Sequence, residues 1–187
     1  MRKALAALIL AVVAFALAPG GLQTAARAQA ETPAAGSIYD QLNQGPLTEA
    51  QIKQYIAAQG EIEAALSEAS PDAGDKPDPK VMAKLDEVAK KYGFANYDDF
   101  NTVAGNIALV VDGIDPKTKQ YVGPEAILKQ AIANVGANSK LTETDKKQAI
   151  EDLNDEIKVI LPVKFPANIE LVVKYYDALA GDETQSQ

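Results

Sequence analysis

Glu151, Asp152, Asp155 and Glu156 are the densest set of potentially reactive side chains in this 187-residue sequence. On a helix they make two like-charged pairs four residues apart, so carboxylates on neighbouring turns could chelate a hard cation. Calcium, however, is normally wrapped by a loop, and the expectation is a solvated helix face with these four as the metal candidates. The loop Asp112-Gly113-Ile114-Asp115 fails the calcium pattern. Ile114, Pro116 and Lys117 stand where oxygen ligands and a glycine are required, and Gly123 replaces the bidentate glutamate. Paired carboxylates can also run acid/base hydrolysis of glycosidase type, but that needs one raised carboxyl in a cleft, and spacing along one helix specifies no such pair.

Tyr92, Phe94, Tyr97 and Phe100 gather around Gly93, and Tyr175-Tyr176 lies near the C-terminus. Such rings pack a helix junction or line a ligand cleft between helices. The sequence holds no His, Cys or Trp. That excludes Ser-His-Asp and Cys-His nucleophiles, ordinary zinc sites, haem and iron–sulfur ligation, disulfides and a histidine phosphorelay. No G-x-x-x-x-G-K-[ST] or G-x-G-x-x-G run is present to cradle a nucleotide. The expectation is a non-enzymatic protein with no catalytic residue and no cofactor. A carboxylate-dependent hydrolase is the enzymatic alternative.

The elements that would position these residues begin after a targeting segment. Arg2 and Lys3 precede an uncharged apolar run, Ala4 to Ala18, which breaks at Pro19-Gly20-Gly21. Ala28-Gln29-Ala30 fits the small-x-small rule, which places signal-peptide cleavage after Ala30, with Ala26-Arg27-Ala28 as second choice. The run is too short and Ala-rich for a spanning helix, and no Cys follows for lipid attachment, so no stable membrane anchor is expected after processing. Loss of Arg2, Lys3 and Arg27 takes the net charge from −8 to −11. That sign disfavours nucleic acid and anionic lipid as partners.

The mature chain reads as one all-α domain over 37–181, a bundle of about six helices behind a flexible leader, 31–36, and before a disordered tail, 182–187. Ser37 to Gln44 reads as a short helix stopped by Gly45-Pro46. Thr48 to Glu68 follows, with Ile52, Tyr55, Ile56, Ile62 and Leu66 at helical spacing and Gly60 as a possible bend. Residues 70–78, rich in Pro and Asp, read as an exposed loop. Asp78 caps a helix that has Pro79 first and Gly93 behind it. Asn96 opens a helix to Asp112 whose second half, Ile107 to Val111, is apolar all round and belongs in the middle of the fold. After a loop at 113–123, Pro124 starts a helix burying Ile127, Leu128, Ala131, Ile132 and Val135. Thr142 to Leu161 and Pro166 to Ala180 complete the set. A strand reading of Ile107 to Val111, Val159 to Val163 and Leu171 to Val173 loses to the longer amphipathic patterns that contain them.

Two internal echoes stand out. Leu47-Thr48-Glu49 with Lys53-Gln54 and Ile56 recurs as Leu141-Thr142-Glu143 with Lys147-Gln148 and Ile150, and Asn106-Ile107-x-Leu109-Val110-Val111 recurs as Asn168-Ile169-x-Leu171-Val172-Val173. Their offsets, 94 and 62 residues, differ, so a duplication needs an inserted helical unit; convergence on well-capped helices explains them equally. Physically, Thr48 and Gln51 are a capping box, and Leu47 with Ile52 is its hydrophobic staple.

Leu47-Thr48-Glu49-Ala50-Gln51 also resembles the LTxxQ motif of the periplasmic Spy/CpxP-like family. At the second site, Leu141 to Asp145, Asp replaces the final Gln. The resemblance implies a small exported helical fold and a periplasmic chaperone or envelope-stress accessory. Lys90-Lys91-Tyr92-Gly93-Phe94 and Phe165-Pro166-Ala167-Asn168 are similar to phrases of small exported all-helical proteobacterial proteins of unknown function, which implies the periplasm of a Gram-negative bacterium. The expected role is a binding or interaction protein whose partner is another envelope protein or a small ligand.

Overall fold

The structure, a computed structural model, describes residues 42–67 and 78–180. The signal segment, the cleavage position after Ala30, residues 31–36, loop residues 70–77 and the tail 182–187 lie outside the described residues.

Helix α1, Glu49–Ser67, opens on the complete capping box. Thr48 N donates to Gln51 Oε1 at 2.9 Å, and Gln51 N donates to Thr48 Oγ1 at 3.2 Å. Leu47 and Ile52 both enter the main core, as the staple requires. The helix passes through Gly60 without interruption. α2, Pro79–Lys91, starts where the Asp78 carboxylate accepts from Lys80 N at 2.8 Å. α3, Tyr97–Val111, starts where the Asn96 side chain accepts from Asp99 N at 2.8 Å, with Asp98 and Asp99 set against the positive end of the helix dipole.

The segment read as loop 113–123 contains a small hairpin. β1, Ile114–Asp115, pairs antiparallel with β2, Gln120–Tyr121, Ile114 opposite Tyr121 and Asp115 opposite Gln120. Its turn is held by the Asp115 carboxylate, which accepts from Lys117 N at 2.8 Å and Thr118 N at 3.0 Å. The Tyr121 ring covers Gly113 so closely that a Cβ there would stand 2.3 Å from Cε2.

α4, Pro124–Ala137, and α5, Glu143–Lys158, form an antiparallel pair joined by a short turn, with Thr142 Oγ1 accepting from Asp145 N at 3.1 Å. α6, Pro166–Lys174, and the single turn α7, Tyr176–Ala180, end the described chain.

α1, α2, α3 and α6 enclose the main core: α1 lies against α2 and α3, α2 against α3, and α3 against α6. Ile52, Ile62, Leu85, Val110 and Val172 are sealed inside it. Phe100 is its aromatic centre, stacked on Tyr55 at 5.2 Å and on Tyr97 at 6.0 Å, with Phe94 edge-on at 5.3 Å. Helix α3 is central, as the all-round apolar second half predicts.

Four expectations are corrected. Residues 42–44 are irregular rather than helical: the Asn106 side chain donates to Asn43 O, and the Gln44 side chain reaches the main chain of Pro162 and Lys164. α5 stops at Lys158 instead of Leu161, ahead of a Pro162 that could not continue it. The final helix breaks at Tyr175, dividing α6 from α7. And none of the apolar residues of α4 is buried: Ile127, Leu128, Ala131, Ile132 and Val135 are only half-covered. The rejected strand readings stay rejected, since Ile107 to Val111 and Leu171 to Val173 are helical and 159–163 is irregular.

Candidate functional site

Two features stand out, a trench filled by the segment before α1 and the apolar hairpin α4–α5.

The trench runs between α3 and α6. Its walls are the two asparagines of the Asn-Ile-x-Leu-Val-Val echo, each 3% exposed and the only buried polar side chains among the described residues. Asn106 donates to Asn43 O at 3.2 Å and accepts from Gly45 N at 3.0 Å. Asn168 donates to Gly45 O at 2.9 Å and accepts from Leu47 N at 2.8 Å. Each amide therefore bridges a carbonyl and the N–H two residues later, and both bridges share Gly45. The relation is returned from the other side: Gln44 Nε2 donates to Pro162 O at 3.1 Å while Gln44 Oε1 accepts from Lys164 N at 2.9 Å. Leu42 fills the space left by Gly105, where a Cβ would come within 2.6 Å of Leu42 Cδ1. Among the described residues no buried side-chain nitrogen or oxygen lacks a partner.

The start of α1 is locked as well. Glu49 takes Lys53 at 2.9 Å, Lys174 at 3.2 Å and the Tyr175 hydroxyl. That hydroxyl first, then the two ammonium groups, hold the Glu49 carboxyl down at about 2. Glu61 repeats the pattern further along α1. Lys91 Nζ donates to both of its oxygens, at 2.6 and 2.9 Å, and the Tyr92 hydroxyl donates at 2.8 Å, which lowers its pKa chiefly through the Lys91 bond. In each case the lysine is the last residue of a helix and the tyrosine its C-cap, α2 for one and α6 for the other. The Lys-Tyr dipeptide at two helix ends was the available signal for this pairing, and the glutamate partners, 30 and 125 residues away, were not legible.

The hairpin has a different character. α4 buries no residue and α5 buries only Leu153. Val122, just before α4, and Val159, just after α5, are 48% and 44% exposed, and the antiparallel pairing places both at the same end of the hairpin.

The four carboxylates of α5 do not converge. Glu151 and Asp152 are exposed, Asp152 accepts from Gln148 Nε2 at 2.8 Å, and Asp155 pairs with Lys158 at 2.7 Å. Glu156 is half-buried, and burial together with Asp112 pushes its pKa up. Among the described residues no group of three or more Asp or Glu gathers where it could hold a metal ion. The aromatic cluster at Gly93 packs on itself, with Phe94 and Phe100 buried and the Tyr92 hydroxyl spent on Glu61. Among the described residues no helix is long and apolar enough to cross a membrane. Comparison with protein-family models, with curated proteins and with solved structures finds no match to this chain.

Proposed function

We propose that the mature chain is an exported, non-enzymatic binding protein of the Gram-negative periplasm, released from its signal peptide after Ala30 and acting on another envelope protein or a small ligand. The observation that carries the reading is the α4–α5 hairpin, whose apolar residues, Leu153 apart, remain unburied while the adjoining helices close a sealed core. Half-covered apolar area is the usual raw material of an interface. Crosslinking in the periplasm tests it: one defined partner should co-purify with the wild type and be lost from a variant carrying Ile132→Asp, a change on the hairpin face. Recovery of bulk protein alone would refute the reading. The mass of the exported protein should correspond to a chain beginning at Glu31.

The same half-covered face favours a second reading, the chaperone or envelope-stress accessory implied by the LTxxQ resemblance. Here the mature protein at near-stoichiometric ratio should suppress light scattering from an unfolding client. Its residues Leu47, Thr48, Gln51 and Ile52 would then serve indirectly, because they cap α1 and pack its start rather than face a client.

A further inference from the structure

The half-covered side of α5 carries charge at both of its ends. Along this 16-residue helix only Lys146, Ala149, Ile150, Leu153, Glu156 and Ile157 are withdrawn from solvent, and helical spacing sets all six on one side. Four are apolar. The two charged ones stand apart, Lys146 in the first turn and Glu156 in the last, a separation of about 15 Å along the axis.

Neither charge is well met within its own chain. Glu156 is opposed by burial and by Asp112, while Lys158, two residues on, is committed to Asp155 at 2.7 Å. The Lys146 side chain is only 17% exposed, and its partner at 2.9 Å is Glu143, which is 90% exposed. Such a solvent-swept pair contributes little. The polarity continues into the surrounding surface. From Lys140 to Gln148 three lysines stand against two carboxylates, whereas from Glu151 to Lys158 one lysine stands against four. On α4, Glu125 and Lys129 pair with each other at 2.7 Å and leave the balance unchanged.

A stripe with a cation at one end and an anion at the other is complementary to itself when reversed. Two copies related by a two-fold axis level with Ile150 and Leu153 bring each Lys146 to the other copy's Glu156. A parallel arrangement would set like charges together. Reversed hairpins form a four-helix bundle that encloses Ile127, Leu128 and Ile132 of α4 with Ile150 and Ile157 of α5. A face about 24 Å long and two helices, about 20 Å, wide covers roughly 500 Å² per copy, so the dimer reaches the lower limit of a specific interface.

We infer that the α4–α5 face is a homodimer interface, in which two copies of this chain pack their hairpins antiparallel with Lys146 of each against Glu156 of the other. The inference rests on the reading of this face as an interface and gives it one occupant.

The test is sedimentation velocity of the purified mature chain from about 1 µM to about 1 mM, a span that includes weak association. The wild type should pass from monomer to dimer. Lys146→Glu and Glu156→Lys should each weaken dimerisation at least about ten-fold, and the double reversal Lys146→Glu/Glu156→Lys should recover most of the loss. Ile132→Asp should abolish the dimer with helical circular dichroism intact. Should a reversal unfold α5, Lys146→Cys/Glu156→Cys reads the same register in a chain that has no other cysteine. Its two thiols are too far apart to bridge within one copy, so mild oxidation should yield linked dimers. A wild type monomeric over the whole range, single reversals that dimerise as the wild type does, or an unaffected Ile132→Asp dimer overturns the inference. A monomer that still captures one defined envelope protein by crosslinking overturns the dimer and leaves the binding reading standing.

Discussion

Helices α2 and α4 are 13 and 14 residues long, and both begin with proline. Both carry an apolar stripe at helical spacing. Yet α2 buries Leu85, Val88 and Ala89, while α4 buries nothing. The difference lies in their neighbours: α2 is wedged against α1 and α3, whereas α4 lies chiefly along α5, with the short strand β1 beside it. A stripe states that a helix needs a partner, and the surrounding elements decide how completely the need is met. The core region thus resembles a finished interior and the hairpin a half-finished one.

Substitution at matched positions is the strongest way to break this contrast. Leu85→Ala should cost about 2–5 kcal/mol in urea unfolding, the range for truncating a sealed aliphatic side chain. Ile132→Ala should cost about 1 kcal/mol or less, because its side chain is already half in water. Equal losses would show that the hairpin is as tightly integrated as the core.

Next in size is Asn168→Ala. It strands Gly45 O and Leu47 N, and about 2 kcal/mol is expected, against less than about 1 kcal/mol for Gln44→Ala, whose bridge is exposed. Asn168→Ala should also expose residues 42–47 to hydrogen exchange while the amides of α2 stay protected.

The caps sharpen the contrast further. Thr48→Ala should remove about 1 kcal/mol from the global transition, since α1 belongs to the core. A comparable loss from Thr142→Ala should register mainly as faster exchange in α5, with little movement of the global midpoint.

The smallest effects are electrostatic and of opposite sign. Glu49 is held below its unfolded value, so it stabilises the fold above pH 4.5, and that contribution disappears as pH falls from 4.5 through about 2. Glu156 is raised by burial and by Asp112. The folded state therefore prefers it protonated, and stability falls as pH rises from its unfolded value through the folded one. Glu156→Gln should raise the urea midpoint at neutral pH and lose that advantage in acid. Glu49→Gln should lower the midpoint at neutral pH and become silent near pH 2. Loss of this opposition would show that the two carboxyls do not sit in the environments described.

Much of the helical layout was legible because its causes are local. Asp78 with Pro79, Asn96, Thr142 and the Thr48–Gln51 box each act within a few residues of the helix they start. The misreading of 42–44 has the opposite cause. Gly45-Pro46 resembles a helix stop, but residues 42–44 are held outside any helix by Asn106 on α3 and by a bridge to 162–164. The Asn-Ile-x-Leu-Val-Val echo was visible as a repeat, yet nothing in its spacing says that both asparagines turn inward onto the same five residues. The four carboxylates of α5 were visible too; Asp152 with Gln148 and Asp155 with Lys158 are local pairs along α5, and only the approach of Glu156 to Asp112 depends on the tertiary fold.

By itself, then, the sequence determined the helical class, most helix starts and the central place of α3, since caps and periodic stripes act over three or four residues. It also removed imidazole and thiol chemistry by composition. Only the tertiary structure decided which stripes were sealed, which glutamates met a Lys-Tyr pair, and that two buried asparagines grip an extended arm. Those outcomes join residues 30 to 126 positions apart, and their energies exist only once the chain has closed on itself.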